Sequence, residues 1–307
     1  MTERVAALDC GSNSTRLLIA GTDGVAVRRE MRITRLSEGV DASGALGASA
    51  LARSYAVLSE YRAMMDDANV ARGLLVATSA VRDAVNGQAF LAEARRRTGV
   101  DVRILTGDEE AAFSFAGATS GLAPDERTTV VLDVGGGSTE LAAMIDGRLV
   151  SFSMQLGCVR VTERALGSGV VDNSHDVATR AMIDAELDRA WREAPEFAGA
   201  AGAVRLVGLA GTVATLAQLD AGLAEYDRDA VHHRRISREV VDGWRERLCA
   251  EDPAARLEHP GMVPGREDVL HAGLYVLEAV MDRLGAAELL TSEDDILDGI
   301  VASLRAN

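Results

Sequence analysis

An internal repeat constrains this chain more than any other feature of its sequence. Residues 5–18 read VAALDCGSNSTRLL and residues 130–142 read VVLDVGGGSTELA, and the two segments align at an offset of 124. In each copy an apolar run, typical of a buried strand, leads into an aspartate and then a turn rich in Gly, Ser and Thr. The alignment matches Asp9 with Asp133, Gly11 with Gly135, Ser14 with Ser138, Thr15 with Thr139 and Leu17 with Leu141.

The sequence around each turn repeats as well. A second apolar run follows each turn and ends at Asp-Gly, a strong hairpin signal, and a third strand pattern comes next. Each half is therefore predicted to begin with three antiparallel strands. Two unrelated domains with a chance similarity are the alternative, which the matching flanks disfavour. Further strands are predicted at 72–78, 101–105 and 204–209, and helices at 87–97, 108–119, 238–249 and 269–284.

The repeat predicts an α/β fold of two actin-like (ribonuclease-H-like) domains facing each other across a cleft. That superfold, shared by actin, hexokinase and the heat-shock proteins, binds phosphate between its two hairpin turns. The 307 residues are about twice a typical single-domain length. The predicted first domain is 1–122, with a last helix at about 292–307 packing back on it, and the second is 123–291. The linker is placed in the polar segment at 121–128, which contains Gly and Pro.

The two turns carry the groups that bind phosphate. Glycine lets the backbone approach an anion closely and aim its N–H groups at the oxygens, and Ser and Thr hydroxyls add donors. One such turn alone could be a plain tight hairpin, but two homologous copies favour phosphate. The candidate phosphate ligands are Ser12, Asn13 and Ser14 in the first loop and Gly136, Gly137, Ser138 and Thr139 in the second.

The aspartates that end the two strands are candidate magnesium ligands. Asp9 and Asp133 can hold Mg²⁺ directly or through water. The copies differ at one aligned position, which is Arg16 in the first and Glu140 in the second. An arginine can bind phosphate through two hydrogen bonds, whereas a glutamate needs a cation in between. We therefore predict that Arg16 binds phosphate and that Glu140 is a metal ligand, with a solvent-facing strand position as the alternative for Glu140.

Two further segments offer catalytic side chains. In TGDEE, Asp108 is a suitable N-cap, and acids in a first helical turn favour the helix dipole, which would account for Glu109 and Glu110 without any catalytic role. Adjacent glutamates point about 100° apart on a helix, so at most one of them faces a cleft and can act as a general base. Arg82, at a helix start, is either a phosphate clamp or a salt-bridge partner.

The net charge of the chain limits which kinds of molecule it can bind. The net charge of −15 disfavours nucleic acid and anionic membranes, so an anionic substrate needs local attraction. All 32 basic residues are arginines, which excludes P-loop, protein-kinase and Schiff-base lysines. The segment from His232 to Arg235 is a local basic patch, either a solvated loop or a track for a polyanion. Gly211-Thr212 could form a third glycine turn.

Cysteine usage and hydropathy bear on the compartment. The three cysteines lack zinc-ligand spacing, and a sparse, odd count suits a reducing environment. There is no signal-like N-terminus and no apolar run of about 20 residues, the length needed to span a bilayer. A cytoplasmic protein is therefore expected. The sequence does not decide the oligomeric state, and a homodimer is one option.

Several motifs in this order resemble one known family. DCGSNSTRLL, TSAVRDAVN, TGDEEA, LDVGGGSTEL and GLAGTVATLA, with RLSEGVD and GMVPGREDV, are similar to the exopolyphosphatase and guanosine-pentaphosphate phosphohydrolase family along essentially the whole chain. The resemblance implies that Glu110 is the general base and that Asp133 and Glu140 hold Mg²⁺. It also implies phosphate binding by Ser12, Asn13, Gly136–Thr139 and Arg82. Larger members carry a C-terminal helical extension, so this chain looks like the short form.

The resemblance implies Mg²⁺-assisted release of terminal orthophosphate from inorganic polyphosphate. Guanosine pentaphosphate 5′-phosphohydrolysis is the first alternative. Where the family often has an arginine near the glycine of its last motif, this chain has Leu297-Asp298-Gly299, which weighs against the guanosine phosphate substrate. A sugar or acetate kinase of the same superfold is a second alternative. A non-catalytic guanosine-phosphate sensor, which would keep the loops without needing Glu110, is a third.

Overall fold

The structure is a computed structural model that describes residues 3–200 and 202–306. The elements up to residue 119 are β1 (Arg4–Cys10), β2 (Ser14–Gly21), β3 (Ala26–Ile33), α1 (Val40–Ser43), α2 (Ala48–Asp67), β4 (Val70–Ala77), α3 (Ser79–Asp83), α4 (Gly87–Thr98), β5 (Asp101–Ile104) and α5 (Gly107–Thr119). Those that follow, apart from one π-helical turn at Thr162–Leu166, are β6 (Thr128–Val134), β7 (Thr139–Ile145), β8 (Arg148–Met154), α6 (Cys158–Val161), α7 (Asn173–Glu193), α8 (Glu196–Ala200), β9 (Val204–Leu209), α9 (Ala210–Ala221), α10 (Arg228–Val231), β10 (Arg235–Ser237), α11 (Arg238–Cys249), α12 (Pro253–Leu257), α13 (Leu270–Leu284), β11 (Glu288–Thr291) and α14 (Ile296–Ala306).

The chain divides into two compact units. The first contains residues up to Gly117 together with the segment from Asp295 onward, and the second contains Ala118–Asp294. These divisions lie a few residues from the boundaries that the sequence suggested at 122 and 291. The segment between α5 and β6, where the linker was placed, contains neither helix nor strand.

Each unit is built on a mixed sheet with the same strand order. In the first unit the order is β3-β2-β1-β4-β5, with β1, β2 and β3 antiparallel and β4 and β5 parallel to β1. In the second unit β8-β7-β6-β9-β11 repeats this order, and β10 adds an antiparallel edge strand. The predicted α/β fold class, with three antiparallel strands opening each half, is confirmed.

The alternation of side chains along β1 explains its nearly continuous apolar sequence. Ala6, Leu8 and Cys10 face a core that is covered by α2 and α4. Val5 and Ala7 face the opposite side of the sheet, where α14 packs. Because side chains in a strand point alternately to the two faces, Asp9 lies on the α14 face. The core of the second unit likewise takes alternate residues of β6, so Asp133 lies on the face opposite that core.

The two predicted Asp-Gly hairpins differ in detail. Asp146 and Gly147 both have positive φ, at 49° and 73°, which is the geometry of a two-residue type I′ turn between β7 and β8. In the turn between β2 and β3, which is four residues long, Gly24 has positive φ and the residues beside it do not. The sequence therefore predicted both hairpins, but the tight turn occurs only in the second.

Two glycines allow the last helix to pack closely against α5 in the first unit. A Cβ on Gly117 would lie 1.9 Å from the carbonyl oxygen of Asp295, and one on Gly299 would lie 2.1 Å from that of Phe113. The main chains of α5 and α14 are therefore in direct contact. This contact fixes the start of α14, and with it Asp295, on the face of the sheet that carries Asp9.

We expect Gly117→Ala to lower the free energy of unfolding by about 1–3 kcal/mol, because the added methyl group meets backbone atoms that cannot rotate away. Urea denaturation measures the change. Gly243→Ala is the matched control, since Gly243 is an exposed position inside α11 with nothing within 4 Å of an added Cβ. That variant should gain about 1 kcal/mol from helix propensity. Equal stability of the two variants would contradict the close packing of α5 and α14.

Within the described ranges 3–200 and 202–306, no helix is both long enough and apolar enough to cross a membrane.

Candidate active site

The loop between β1 and β2 is held by the segment that follows β3. The Gly11 N–H donates to the Ser14 carbonyl at 3.0 Å and closes the turn. The Asn13 carbonyl accepts hydrogen bonds from the N–H groups of residues 34 and 35, at 3.0 and 2.9 Å, and the Ser12 carbonyl accepts one from residue 37 at 3.0 Å. Ser12 and Asn13 are both buried. The RLSEGVD motif therefore fixes the shape of the first loop.

The loop between β6 and β7 closes in the same way. The Gly135 N–H donates to the Ser138 carbonyl at 3.1 Å, which is the first loop's hydrogen bond shifted by 124 residues. Here α6 holds the loop, because the carbonyls of Gly135 and Gly136 accept from N–H groups of residues 158–160. The sequence repeat is thus also a repeat of hydrogen bonding.

In both loops, carbonyl groups accept hydrogen bonds from the protein, while several amide N–H groups remain available as donors. Across residues 3–200 and 202–306, no protein acceptor is hydrogen-bonded to the N–H groups of Ser12, Asn13, Gly136, Gly137 and Ser138. Buried N–H groups are normally paired, so a run of available donors indicates a site for an anion. Thr139 differs, because its hydroxyl donates its single proton to the Leu156 carbonyl and so helps to hold the loop.

The aligned position at which the two copies differ lies directly opposite the loop aspartate. Asp9 faces Arg16 in the β1–β2 pairing, and Asp133 faces Glu140 in the β6–β7 pairing. Side chains at opposite positions of an antiparallel pair lie on one face with their Cβ atoms about 5 Å apart. The first unit therefore pairs an acid with a base, and the second pairs two acids.

In the first unit the charge is balanced internally. Arg16 donates from Nε and Nη2 to Asp9 Oδ2, at 3.0 and 2.7 Å, and from Nη1 to Asp295 Oδ2. Asp295 also lies 3.5 Å from Arg29, and its Oδ1 accepts a hydrogen bond from the Leu297 N–H at the start of α14. The guanidinium of Arg16, predicted to bind phosphate, is thus in contact with two carboxylates.

Burial and the neighbouring guanidinium groups shift the pKa values of Asp9 and Asp295. Burial raises the pKa of the Asp9 carboxyl, against the attraction of Arg16, and the charge of Asp295 raises it further. Burial also acts to raise the pKa of Asp295, but Arg16 and Arg29 outweigh it and hold that pKa below its usual range. Asp9 Oδ1 is buried with no hydrogen-bond partner among the described residues, so one lone-pair face of this carboxylate is available.

The second unit buries two carboxylates, those of Asp133 and Glu140, at opposite positions of a strand pair. Asp133 is 7% exposed and Glu140 is 2% exposed, and the Ser153 hydroxyl donates to Glu140 Oε1 at 2.7 Å. Over the part of the chain that the structure describes, no group of three or more His, Cys, Asp or Glu side chains is arranged to hold a metal. Mg²⁺ usually keeps several waters and takes one or two protein carboxylates, so this pair fits it.

The two adjacent glutamates at the start of α5 have separate environments. Glu109 forms a capping box with Thr106: the Thr106 N–H donates to Glu109 Oε2 at 2.9 Å, and the Glu109 N–H donates to Thr106 Oγ1 at 3.2 Å. The expectation that Asp108 caps this helix is therefore wrong, because the helix begins one residue earlier and Thr106 is the cap. Glu110 is buried and lies on a different side of the helix.

Arg82 and Glu110 are brought together within the first unit. Arg82 Nη1 lies 3.5 Å from Glu110 Oε2 and donates to the Leu105 carbonyl at 2.8 Å. Arg82 lies in α3, after β4, and Glu110 lies in α5, after β5. Because β4 and β5 are parallel neighbours, their following helices start at the same edge of the sheet. The structure thus places a buried carboxylate beside an arginine.

The basic patch after α10 is largely neutralised. Arg234 donates twice to Asp220 Oδ2, at 2.8 and 2.6 Å, and Arg235 pairs with Glu288. The rings of His232 and His233 stack at 3.7 Å. These contacts do not favour an arginine track for a polyanion at this position.

Three residues at the loops were missed by reasoning from the sequence. Asp295 meets Arg16 from 279 positions away, a separation that no local pattern reveals. Arg160 donates from Nε to the Gly137 carbonyl at 2.6 Å. Arg266 covers Gly211, where an added Cβ would lie 1.8 Å from Arg266 Nη2. The one sequence feature that could have indicated Arg266 is the GREDV motif, in which this arginine is followed by two acidic residues.

The comparisons with known proteins show the family to which this chain belongs. The Ppx/GppA phosphatase family matches residues 19–306. Exopolyphosphatase 2 of Mycobacterium tuberculosis is 38% identical over 318 residues, which covers 98% of each chain. A crystal structure of an exopolyphosphatase-like protein has a TM-score of 0.91 at 34% identity and 99% coverage of both chains. The Aquifex aeolicus PPX-GPPA enzyme has a TM-score of 0.80 at 26% identity, covering 99% of this chain and all of that one.

The match to this family and the 38% identity to an exopolyphosphatase show that the chain is a phosphoric anhydride hydrolase. The chain belongs to the Ppx/GppA phosphatase family. The resemblance inferred from the motifs is confirmed.

Proposed function

We propose that this chain is a magnesium-dependent exopolyphosphatase that removes terminal orthophosphate from inorganic polyphosphate. The observation that carries the proposal is the pair of homologous loops whose carbonyls are held by the protein while five amide N–H groups remain available. Such donors stabilise the charge on phosphoryl oxygens. The similarity to exopolyphosphatase 2 of Mycobacterium tuberculosis supports polyphosphate as the substrate.

Glu110 acts as the general base in this proposal. It accepts a proton from water as the water oxygen bonds to the terminal phosphorus. The bond from that phosphorus to the bridging oxygen breaks, and the bridging oxygen keeps the electron pair and stays with the shortened chain. Arg82, 3.5 Å from Glu110, orients the carboxylate and binds phosphate, and Ser12, Asn13, Ser14 and the second loop bind phosphoryl oxygens.

Asp133 and Glu140 are the proposed ligands of Mg²⁺, with Asp9 as a third candidate. A bound Mg²⁺ neutralises charge on the phosphoryl oxygens and so lowers the barrier to attack. The two opposed carboxylates of the second unit support this assignment, because Mg²⁺ is bound through one or two protein carboxylates.

The alternatives make different demands on the chain. A kinase needs a nucleoside pocket, and the glycine turn at Gly211, which could line one, is covered by Arg266. A sensor has no use for Glu110. A guanosine pentaphosphate phosphohydrolase shares the family and the chemistry, so only the substrate distinguishes it.

We expect purified protein with Mg²⁺ to release orthophosphate from polyphosphate of several lengths without any acceptor. The comparison substrates are guanosine pentaphosphate and labelled ATP with glucose or acetate. Faster phosphate release from guanosine pentaphosphate would favour the nucleotide substrate. Transfer of label from ATP to an acceptor would contradict hydrolysis and support a kinase.

We place the protein in the cytoplasm. Cys10, Cys158 and Cys249 are all free and buried, which suits a reducing compartment where thiols persist.

A further inference from the structure

The short helix α6 is bonded along its first turn to the second loop. The N–H of Cys158 donates to the Gly135 carbonyl at 2.9 Å, and the N–H groups of the next two residues donate to the Gly136 carbonyl at 2.9 and 3.1 Å. The side chain of Arg160 completes the row, since its Nε donates to the Gly137 carbonyl at 2.6 Å. Three consecutive loop carbonyls thus point toward α6.

The direction of the carbonyls fixes the direction of the amides. In a trans peptide the C=O of one residue and the N–H of the next point in opposite directions within one plane. Because the carbonyls of Gly135, Gly136 and Gly137 are directed at α6, the N–H groups of residues 136, 137 and 138 are directed away from it. These are the donors of the second loop that have no protein acceptor among the described residues.

Close packing keeps α6 in this position. A Cβ on Gly157 would lie 2.2 Å from the Gly136 carbonyl oxygen and 2.4 Å from the Gly137 nitrogen, so only glycine lets the two backbones approach. Two of the three carbonyls are held by backbone N–H groups, which every residue except proline supplies. The third is held by a side chain, and the orientation of the 137–138 peptide therefore depends on the identity of residue 160.

We propose that Arg160 is a positioning residue for phosphoryl transfer, which aims the Ser138 N–H at the anion by holding the Gly137 carbonyl through Nε. This inference rests on the proposed function. Arg160 is 92% buried, since 8% of it is exposed, and the bond is a charge-assisted one, so the peptide is held firmly. The first loop uses backbone donors from residues 34–37 for the same purpose, which leaves Arg160 as the element specific to the second loop.

Three substitutions at position 160 separate the hydrogen bond from the charge. Arg160→Gln keeps an N–H donor at the position of Nε, counted along the side chain, and removes the charge. Arg160→Lys keeps the charge and replaces Nε with a methylene. Arg160→Met keeps a similar length and supplies neither. All three are compared for kcat and KM on polyphosphate, with thermal unfolding to normalise for folded protein.

We expect the Met and Lys variants to lose about tenfold or more in kcat with little change in KM, less than the roughly 10²–10³-fold typical of removing a transition-state donor outright. The Gln variant should stay close to wild type. If Arg160 had a merely structural role, the Gln variant would not keep a higher kcat than the Lys variant. An active Lys variant beside an inactive Gln variant would overturn the proposal, because the charge and not the donor would then matter.

A crystal structure of the Arg160→Met protein tests the positioning without reference to substrate. We expect the 137–138 peptide to turn, so that the Gly137 carbonyl no longer points at α6. An unturned peptide would overturn the inference even if polyphosphate is hydrolysed. Conversely, wild-type protein that releases no phosphate from polyphosphate would contradict the proposed function, while the crystal structure would still decide the role of Arg160. If Arg160→Met does not fold, the Gln and Lys pair still decides between donor and charge.

Discussion

Glu110→Gln is expected to reduce kcat for orthophosphate release by about 10²–10⁴-fold, the usual contribution of a general base. Glutamine has nearly the same volume as glutamate but cannot accept the proton of the attacking water. Binding of polyphosphate should persist, because the loop amides and Arg82 remain. The measurement is phosphate release at saturating polyphosphate, with polyphosphate binding and thermal unfolding measured on the same preparation.

Glu109→Gln is the matched control for that result. The neighbouring glutamate forms a capping box with Thr106, and glutamine serves that box nearly as well. Turnover of this variant should stay near that of the wild type. If Glu110→Gln keeps near-normal turnover, the assignment of Glu110 as the base is wrong. If Glu109→Gln is the inactive variant, Glu109 is the base.

Asp133→Asn and Glu140→Gln are each expected to raise the Mg²⁺ concentration needed for half-maximal activity by about tenfold or more, because each removes an anionic oxygen ligand. Titration calorimetry with Mg²⁺ alone gives a readout that does not depend on turnover. Excess Mg²⁺ should restore part of the activity, since the loop donors are unchanged.

Asp146→Asn controls for the chemical change itself. Asp146 is exposed in the β7–β8 turn and has a φ of 49°, a conformation that asparagine tolerates well. Its Mg²⁺ dependence should match the wild type. Full activity of the wild-type protein in excess chelator would show that no divalent cation is needed, and the two opposed carboxylates would then require another role.

The parts of this fold that the sequence predicted are those encoded locally. The strand–turn–strand repeat and the two hairpins follow from residues close together in the chain. Their geometry depends on alternation and turn chemistry, which a sequence displays directly. For the same reason a difference of one residue, Arg16 against Glu140, could be used to predict different roles for the two copies.

The parts that the sequence did not predict depend on tertiary contacts. The contact between Glu110 and Arg82 depends on the end of another strand, whereas the Thr-x-x-Glu capping box that separates Glu109 from Glu110 was a local signal that the sequence-based prediction missed. Asp295 reaches Arg16 only because Gly117 and Gly299 let α14 lie against α5. The partners of Arg234 and Arg235 are carboxylates distant in sequence, so a patch that is basic in sequence is paired in the fold.

In the duplicated hairpin, the loop aspartate faces a different side chain in each copy: Asp9 faces Arg16, and Asp133 faces Glu140. In the first half the counter-cation is covalently attached as Arg16 and is present whatever the surroundings contain. In the second half Glu140 takes that place, so two carboxylates oppose each other where the first half pairs a carboxylate with a guanidinium. With the proposed Mg²⁺ bound at the second half, the activity would follow the divalent-cation concentration through that half, whereas the guanidinium of the first half is supplied by the chain itself.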